Sequence, residues 1–521
     1  MTKSLHHTER HGSAQLEKSF SKLSMVAMTF AILNTWIALA GSIGIVMPSG
    51  SSVAFLYGFI FCVLCNLCLA ASLGELASAW PTAGGQYHYA HALAKENWKK
   101  SISFWVGWTS IAGWLTLVTT EGFFAAQFIS AGAVIGSNGT YQIKQWRTFL
   151  IFLAILTFTT LSNLYGNKIL AKWNDGALYW SILAVVVISI TILATSDKND
   201  ASFVFTDFNN DTGWSDGTAW ILGLLQSALS LIGFDAACHM TEEMPSPSRD
   251  TPRAIVYAIL VGGVTGVAFI LIILFCLTDI DTVLQTSTNM PITELIHQAT
   301  GSRAAAVILT VMLAICFING TNGCVTSASR LLFAMARDKG TPFSDFFSTI
   351  NPRTHVPSRT IIFCFEFNLL FGLLYLGPTV AFNAYVASTT VFLNVSYAMP
   401  VLILVLRGRG ILDRETKAFS LGKYGYFANC VGIIFVGVTS VFFCFPAALP
   451  TTSSNMNYVS AVLGIFVILL TGIWLSYGKQ YRGPEFSIIL GGGSTQPQSI
   501  EEVVVASEGK NRSEKTSTTE E

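Results

Sequence analysis

Twelve apolar runs recur along the 521-residue chain, near residues 25–47, 53–79, 102–134, 147–165, 176–195, 218–240, 254–278, 303–335, 359–376, 380–406, 427–447 and 458–477. A run of about 20 apolar residues crosses the hydrocarbon core as a helix, and in lipid only helices and closed barrels satisfy their own backbone hydrogen bonds. The chain is 52% hydrophobic and only 12% charged, against about 25% charged in soluble domains. It therefore reads as an all-α integral membrane protein with twelve transmembrane helices.

Charge placement orients these spans. Of the 30 Lys and Arg residues, 26 fall in segments on the side of the termini; only Lys144, Arg147, Lys198 and Arg303 fall opposite. Cytosolic segments keep their basic residues, so both tails are expected in the cytosol. The polar start up to Ser24 shows no cleavable signal, which leaves the first span to direct insertion. The Gly-, Ser-, Thr- and Glu-rich tail after Tyr481 reads as disordered.

Net charge is zero and no basic patch suggests nucleic acid. All ten cysteines lie in or beside apolar spans, so no external disulfide framework is available. Cys62, Cys65 and Cys68 have the spacing of metal ligands, but on a helix at lipid depth small apolar packing accounts for them; no metal or cofactor is expected. Sequons at Asn138 and Asn210 face outward in this topology and are candidate glycosylation sites. The outer stretch "DKNDASFVFTDFNNDTGWSDG" reads as loop, and "MPITELIHQAT" as a short helix over the outer face.

Two spans carry glycine where a helix former is expected. The first reads "MTFAILNTWIALAGSIGIVMPSG", with Gly41, Ser42 and Gly44; the sixth reads "SALSLIGFDAACHMTEEM", with Gly233 and Asp235. A glycine costs a helix interior about 1 kcal/mol relative to alanine. Paired glycine-broken spans in corresponding positions point to a transporter site made of discontinuous helices at the membrane midplane. Freed backbone groups at such breaks need partners, and substrate can supply them. Asp235 beside the second break either binds an ammonium group or proton, or only satisfies that backbone. Glu121, another acid at membrane depth, is a candidate for proton coupling or for holding an amine. Pro245, Pro247 and Pro252 are expected to end the sixth helix.

The motifs "SLGELASAWPTAGGQYHYA" at Ser72, "TEEMPSPSRDTPRAI" at Thr241 and "TSASRLLFAMARDKGTPFS" at Thr326 follow in the order of a known group. With "FNNDTGW" and "FPAALPTTSSNMNYV", the chain resembles the amino acid-polyamine-organocation permeases, and within them the fungal branch of GABA and choline permeases. The resemblance runs from about Lys22 to Tyr477. It implies two inverted five-helix repeats (25–195 and 218–406) and two further helices (427–477). Around these lie tails 1–24 and 478–521, an outer loop 196–217 and a cytosolic loop 407–426.

It implies a substrate cradle at Ala40, Gly41, Ser42, Ile43 and Gly44 with Leu229, Ser230, Gly233 and Asp235. Trp114, Glu121, Asn319 and Asn322 are placed beside it by span depth. Glu75, Glu242, Glu243, Arg330 and Arg337 are assigned to latching the inner gate. Leu229 stands where many relatives carry an aromatic gate residue, which disfavours choline, since quaternary ammonium prefers aromatic faces. The fifth span lacks the lysine of some proton-driven relatives and has Trp180 near that position, leaving Glu121, Asp235 or His239 to carry a proton.

The expected function is secondary transport of a small amine or amino acid, GABA-like or otherwise zwitterionic, by proton symport across the plasma membrane. A choline carrier, an exporter of a secreted amine, a vacuolar location and a non-transporting nutrient receptor are the alternatives. A channel or an embedded enzyme fits less well, because no ring of pore charges and no nucleophile cluster accompanies the spans.

Overall fold

This computed structural model describes residues 22–377, 381–452 and 455–484. Residues Met1–Gly483 form one compact unit; Pro484–Glu521 form another that, apart from Pro484, lies outside the described residues. The expectations for the far N-terminal and C-terminal tails fall on residues not described.

Nineteen α-helices follow one another among the described residues. In order they are α1 (Lys22–Leu33), α2 (Thr35–Val46), α3 (Ser51–Ala79), α4 (Gln86–Leu93), α5 (Lys99–Gly136), α6 (Gln145–Tyr165) and α7 (Asn167–Thr195). Then come α8 (Ala201–Thr206), α9 (Asp216–Leu229), α10 (Ala236–His239), α11 (Pro247–Cys276), α12 (Ile280–Leu284) and α13 (Pro291–Thr300). The last are α14 (Arg303–Arg337), α15 (Ser344–Phe347), α16 (Ser358–Gly372), α17 (Ala381–Arg407), α18 (Gly425–Phe442) and α19 (Val459–Tyr477).

Among the described residues, eleven helical stretches are long and apolar enough to cross a membrane. The sixth predicted span is absent from that set for a physical reason: it is cut into α9 and the four-residue α10, neither of crossing length. Large apolar side chains such as Leu64, Val264, Ile468 and Leu469 are exposed on the outer helix faces, as lipid solvation allows. The interior instead buries Glu75, Glu121, Asp235 and Arg330.

The first span is also broken, but not where its glycines suggest. Helix α2 runs unbroken through Gly41, Ser42 and Gly44, and the interruption falls at Asn34, whose φ of 45° is left-handed. Twelve residues of α1 precede it and twelve of α2 follow, about 18 Å on each side, so Asn34 sits midway through the crossing. Asparagine adopts this conformation more readily than most residues. The glycines serve close packing: a Cβ on Gly41 would lie 2.8 Å from the Phe124 ring of α5, and one on Gly44 would lie 3.3 Å from Pro291 of α13.

Two smaller expectations are corrected. The proline-rich segment does not end the sixth helix, which has already stopped at His239. Pro247 opens α11 at its first turn, where its missing N–H costs nothing, and Pro252 lies within α11. The outer stretch expected as loop contains the short helix α8, while α13 matches the helix read in "PITELIHQAT".

Candidate functional site

The second break is built around Gly233. After Leu229 the chain tightens, with Leu231 N–H bonding Ala228 O and Ile232 N–H bonding Leu229 O. Gly233 then turns to φ +88°, a conformation that a side chain would strain. Its N–H leaves the helical ladder and donates to the Tyr397 hydroxyl of α17 at 3.0 Å. A Cβ there would meet Ile32 of α1 at 2.9 Å. Ile32 also lies against Gly323 of α14, so the two broken spans meet beside α5 and α14.

Asp235 follows, fully buried. Its Oδ1 accepts from the Tyr397 hydroxyl at 2.6 Å, and its Oδ2 accepts from Gln86 Nε2 at 2.7 Å and Trp114 Nε1 at 3.1 Å. His239 Nε2 lies 3.1 Å from the same Oδ2. His239 Nδ1 is 3.0 Å from the carbonyl oxygen of Ala83. A backbone carbonyl only accepts, so Nδ1 carries a hydrogen; the contact between Nε2 and Oδ2 then needs a second proton between them. Trp114 and Tyr397 both donate to the same carboxyl group, so that it is held from four sides. One carboxylate thus ties together α10, α5, α17 and the start of α4.

Glu121 occupies the other break. Asn34 Nδ2 donates to Glu121 Oε2 and to the carbonyl of Cys316, each at 3.2 Å. Gly320 makes room for both: a Cβ on it would lie 2.6 Å from Glu121 Oε2. The carboxyl group therefore sits at the N-terminal end of α2, where a helix presents positive partial charge.

The remaining predicted cradle residues divide. Ala40, Ile43 and Leu229 are buried apolar groups, and the buried hydroxyls of Ser42 and Ser230 donate to carbonyls of their own helices. Trp114 joins the Asp235 cluster. Asn319 is half-buried on the same turn of α14 as Gly320. Asn322 turns to α6 instead, its side-chain and main-chain oxygens accepting from Asn163.

Of the residues assigned to the latch, Arg330 and Glu243 face one another, while Glu75 takes its partners from outside that set. Glu75 accepts from Arg409 at 2.5 Å, from Ser420 and from the Leu421 N–H, joining α3 to the segment before α18. Arg330 Nε lies 3.7 Å from Glu243 Oε1, both buried. Arg337 ends α14 within electrostatic reach of Tyr87, and the Glu242 side chain is outside the described set. No group of three metal-ligating side chains occurs among the described residues.

Sequence reasoning missed Asn34, Gln86 and Tyr397. Asn34 carried a signal, being an amide within an apolar span. Gln86 and Tyr397 carried none, since they meet Asp235 across separations of 149 and 162 residues.

A further small cavity of about 40 Å³ lies between the Val46 end of α2, the middle of α9, Asn383 and the segment joining α18 to α19. That segment is tied to the link before α9 by Leu449 N–H to Thr212 O at 2.7 Å and Trp214 Nε1 to Pro446 O at 3.1 Å.

Two broken spans crossing beside two long helices, with buried carboxyl groups at each break, define a membrane transporter of the discontinuous-helix type. Residues 23–468 match the family described as amino acid permease, and the chain belongs to that family. It is 34% identical over 90% of its length to the choline transporter of Saccharomyces cerevisiae, of which it covers 83%. It is 30% identical to the swainsonine transporter swnT of Arthroderma benhamiae, covering 90% of this chain and 92% of that one. The amino-acid permease BAT1 of Arabidopsis thaliana is also 30% identical, over 91% of this chain and 95% of its own. These are transporters, not enzymes.

Proposed function

We propose that the chain imports a small amine or zwitterionic amino acid by alternating access, with a proton carried by the Asp235–His239 pair and the substrate amine held at Glu121. The observation that carries this reading is the pairing of breaks at Asn34 and Gly233, each with its own buried carboxyl group. The amine would displace Asn34 from Glu121, and loss of the proton from His239 would undo the cluster that joins α10 to α5 and α17.

Tyr89, Cys238, Cys324 and Tyr397 also lie within electrostatic reach of Asp235, and His239 is the basic side chain in contact with it. The cavity beside Asn383 supplies an approach from the outer side in a topology with both termini cytosolic. The plasma membrane is the proposed location.

Choline is a second reading, and one feature favours it. Phe124 lies against Gly41 and stacks on Phe317 at 4.9 Å with Phe382 edge-on, so aromatic faces stand beside the first span even though Leu229 is aliphatic. Such faces suit a quaternary ammonium.

Uptake and efflux of GABA, choline, neutral and basic amino acids and polyamines, measured in proteoliposomes under an imposed pH gradient, test the proposal. Accumulation of one amine driven by the gradient, with Glu121→Gln raising its half-saturating concentration, is expected. No gradient-driven accumulation of any of them would contradict it.

A further inference from the structure

A second charged cavity lies outside the transport site. It is bounded by Lys100, Lys339, Asp345, Lys479, Tyr481 and Arg482, has a volume of about 430 Å³ open to solvent, and carries a net charge of +3. Lys339 is paired with Asp345, and the neighbouring Lys99 is turned to Glu96 at 2.6 Å. Lys100, Lys479 and the Arg482 guanidinium make no hydrogen bond or ion pair with any described residue. Three exposed cations therefore share one hollow, an arrangement that attracts an anion.

The hollow is held in shape rather than left to loose side chains. Tyr481 is buried, and its hydroxyl is 2.7 Å from Ser103 Oγ on α5. Arg482 N–H donates to the Asp338 carbonyl at 3.2 Å. These bonds pin the segment after α19 against the start of α5 and the end of α14, bringing Lys479 and Arg482 over Lys100.

Depth decides what kind of anion fits. Lys100 is the second residue of α5, Lys339 follows the end of α14 by two residues, and Lys479 follows the end of α19 by two. All three stand where a span leaves the hydrocarbon, on the face that bears the termini. Beside them in the chain, Trp98, Phe343 and Phe346 are exposed, as side chains resting in the membrane interface are.

We propose that this hollow binds a phosphate-bearing anion, presented by the headgroup of a phosphorylated membrane phospholipid. Basic pockets between spans at the cytoplasmic surface are suited to such headgroups. Occupancy would bridge α5, α14 and the segment after α19, and so stiffen the end of the molecule that holds Tyr87, His88 and Asp338 together at 2.8–2.9 Å.

The test uses the full chain in phosphatidylcholine nanodiscs, with and without phosphatidylinositol monophosphate, reading retained lipid by native mass spectrometry and unfolding temperature in parallel. The expected result is selective retention and a raised unfolding temperature. Neutralising Lys100, Lys479 and Arg482 to Gln together would weaken binding roughly a hundredfold, and each alone roughly fivefold. The single variants decide the matter should the triple variant fail to fold. Lys423→Gln, on a different segment of the same face, would leave binding unchanged. Soluble inositol phosphate competing as well as the lipid would overturn the lipid assignment in favour of an aqueous anion, and equal lipid binding by the native chain and the triple variant would overturn the site.

Discussion

Asp235 caps the start of α10 and His239 ends it, and their side chains meet at 3.1 Å in a fully buried setting. The separation of four residues makes the contact local, but what gives it weight is the Ala83 carbonyl on the far nitrogen of the ring. That acceptor fixes one hydrogen on Nδ1 and so requires the contact with Asp235 to contain a proton of its own. The carboxyl group thereby has four partners from four helices.

Tyr397 bridges Gly233 N–H and Asp235 Oδ1 through one hydroxyl. Its replacement by Phe would orphan a buried donor and remove one of four donors from the carboxylate. Such losses cost about 1–3 kcal/mol each. Tyr397→Phe is expected to lower the unfolding temperature of the purified protein and reduce uptake; an unchanged unfolding temperature would remove Tyr397 from the cluster.

Gly41 and Phe124 give a steric prediction. Gly41→Ala would force its Cβ into the Phe124 ring and impair uptake, whereas Gly41→Ala with Phe124→Leu would recover part of it. If the glycine instead acted by unwinding the helix, trimming the ring would restore nothing, and the double variant would transport no better than the single one.

His91, on α4 outside the spans, responds to acid. Burial first, and then the Lys99 ammonium, push its imidazole down to about 4 from the usual 6.5. The unfolded chain therefore binds the extra proton first, so stability contributed by this residue is complete above pH 6.5 and falls as pH drops towards 4. Thermal unfolding in detergent between these limits should show this decline, and His91→Gln should flatten it. An equal decline in both proteins would exclude His91 as its source.

Of the two candidate sequons, Asn138 is the one with a free amide. It is exposed at the turn after α5, while Asn210 uses both side-chain hydrogens, donating to Trp214 O at 2.8 Å and Asp216 Oδ1 at 2.9 Å. A glycan would take one of them. On expression in a glycosylating host, Asn138→Gln should abolish the glycosidase-sensitive gel shift and Asn210→Gln should leave it; the reverse pattern would contradict this reading.

How far these features could be read from the residues depends on the distance over which each interaction acts. The spans were legible because lipid imposes length and apolarity locally. The Gly233–Asp235 break was legible because a left-handed glycine and a membrane-depth carboxylate adjoin in the chain. Gly41 and Gly44 misled, since a small residue that admits a neighbouring ring looks the same in sequence as one that unwinds a helix. Asn34, which does break the span, was hidden by the same ambiguity in reverse. Asn322 was read as cavity lining and instead bonds to Asn163, a choice that depends on which face of α14 meets α6.

Gradient-driven uptake by the native chain, Asp235→Asn and His239→Gln, compared in the same proteoliposomes with the transported amine, tests the central claim most directly. The account predicts that the native protein accumulates substrate when the outside is acid, that Asp235→Asn loses most of this uptake, and that His239→Gln no longer responds to the gradient. Accumulation by Asp235→Asn at the native rate and with the native pH response would contradict it.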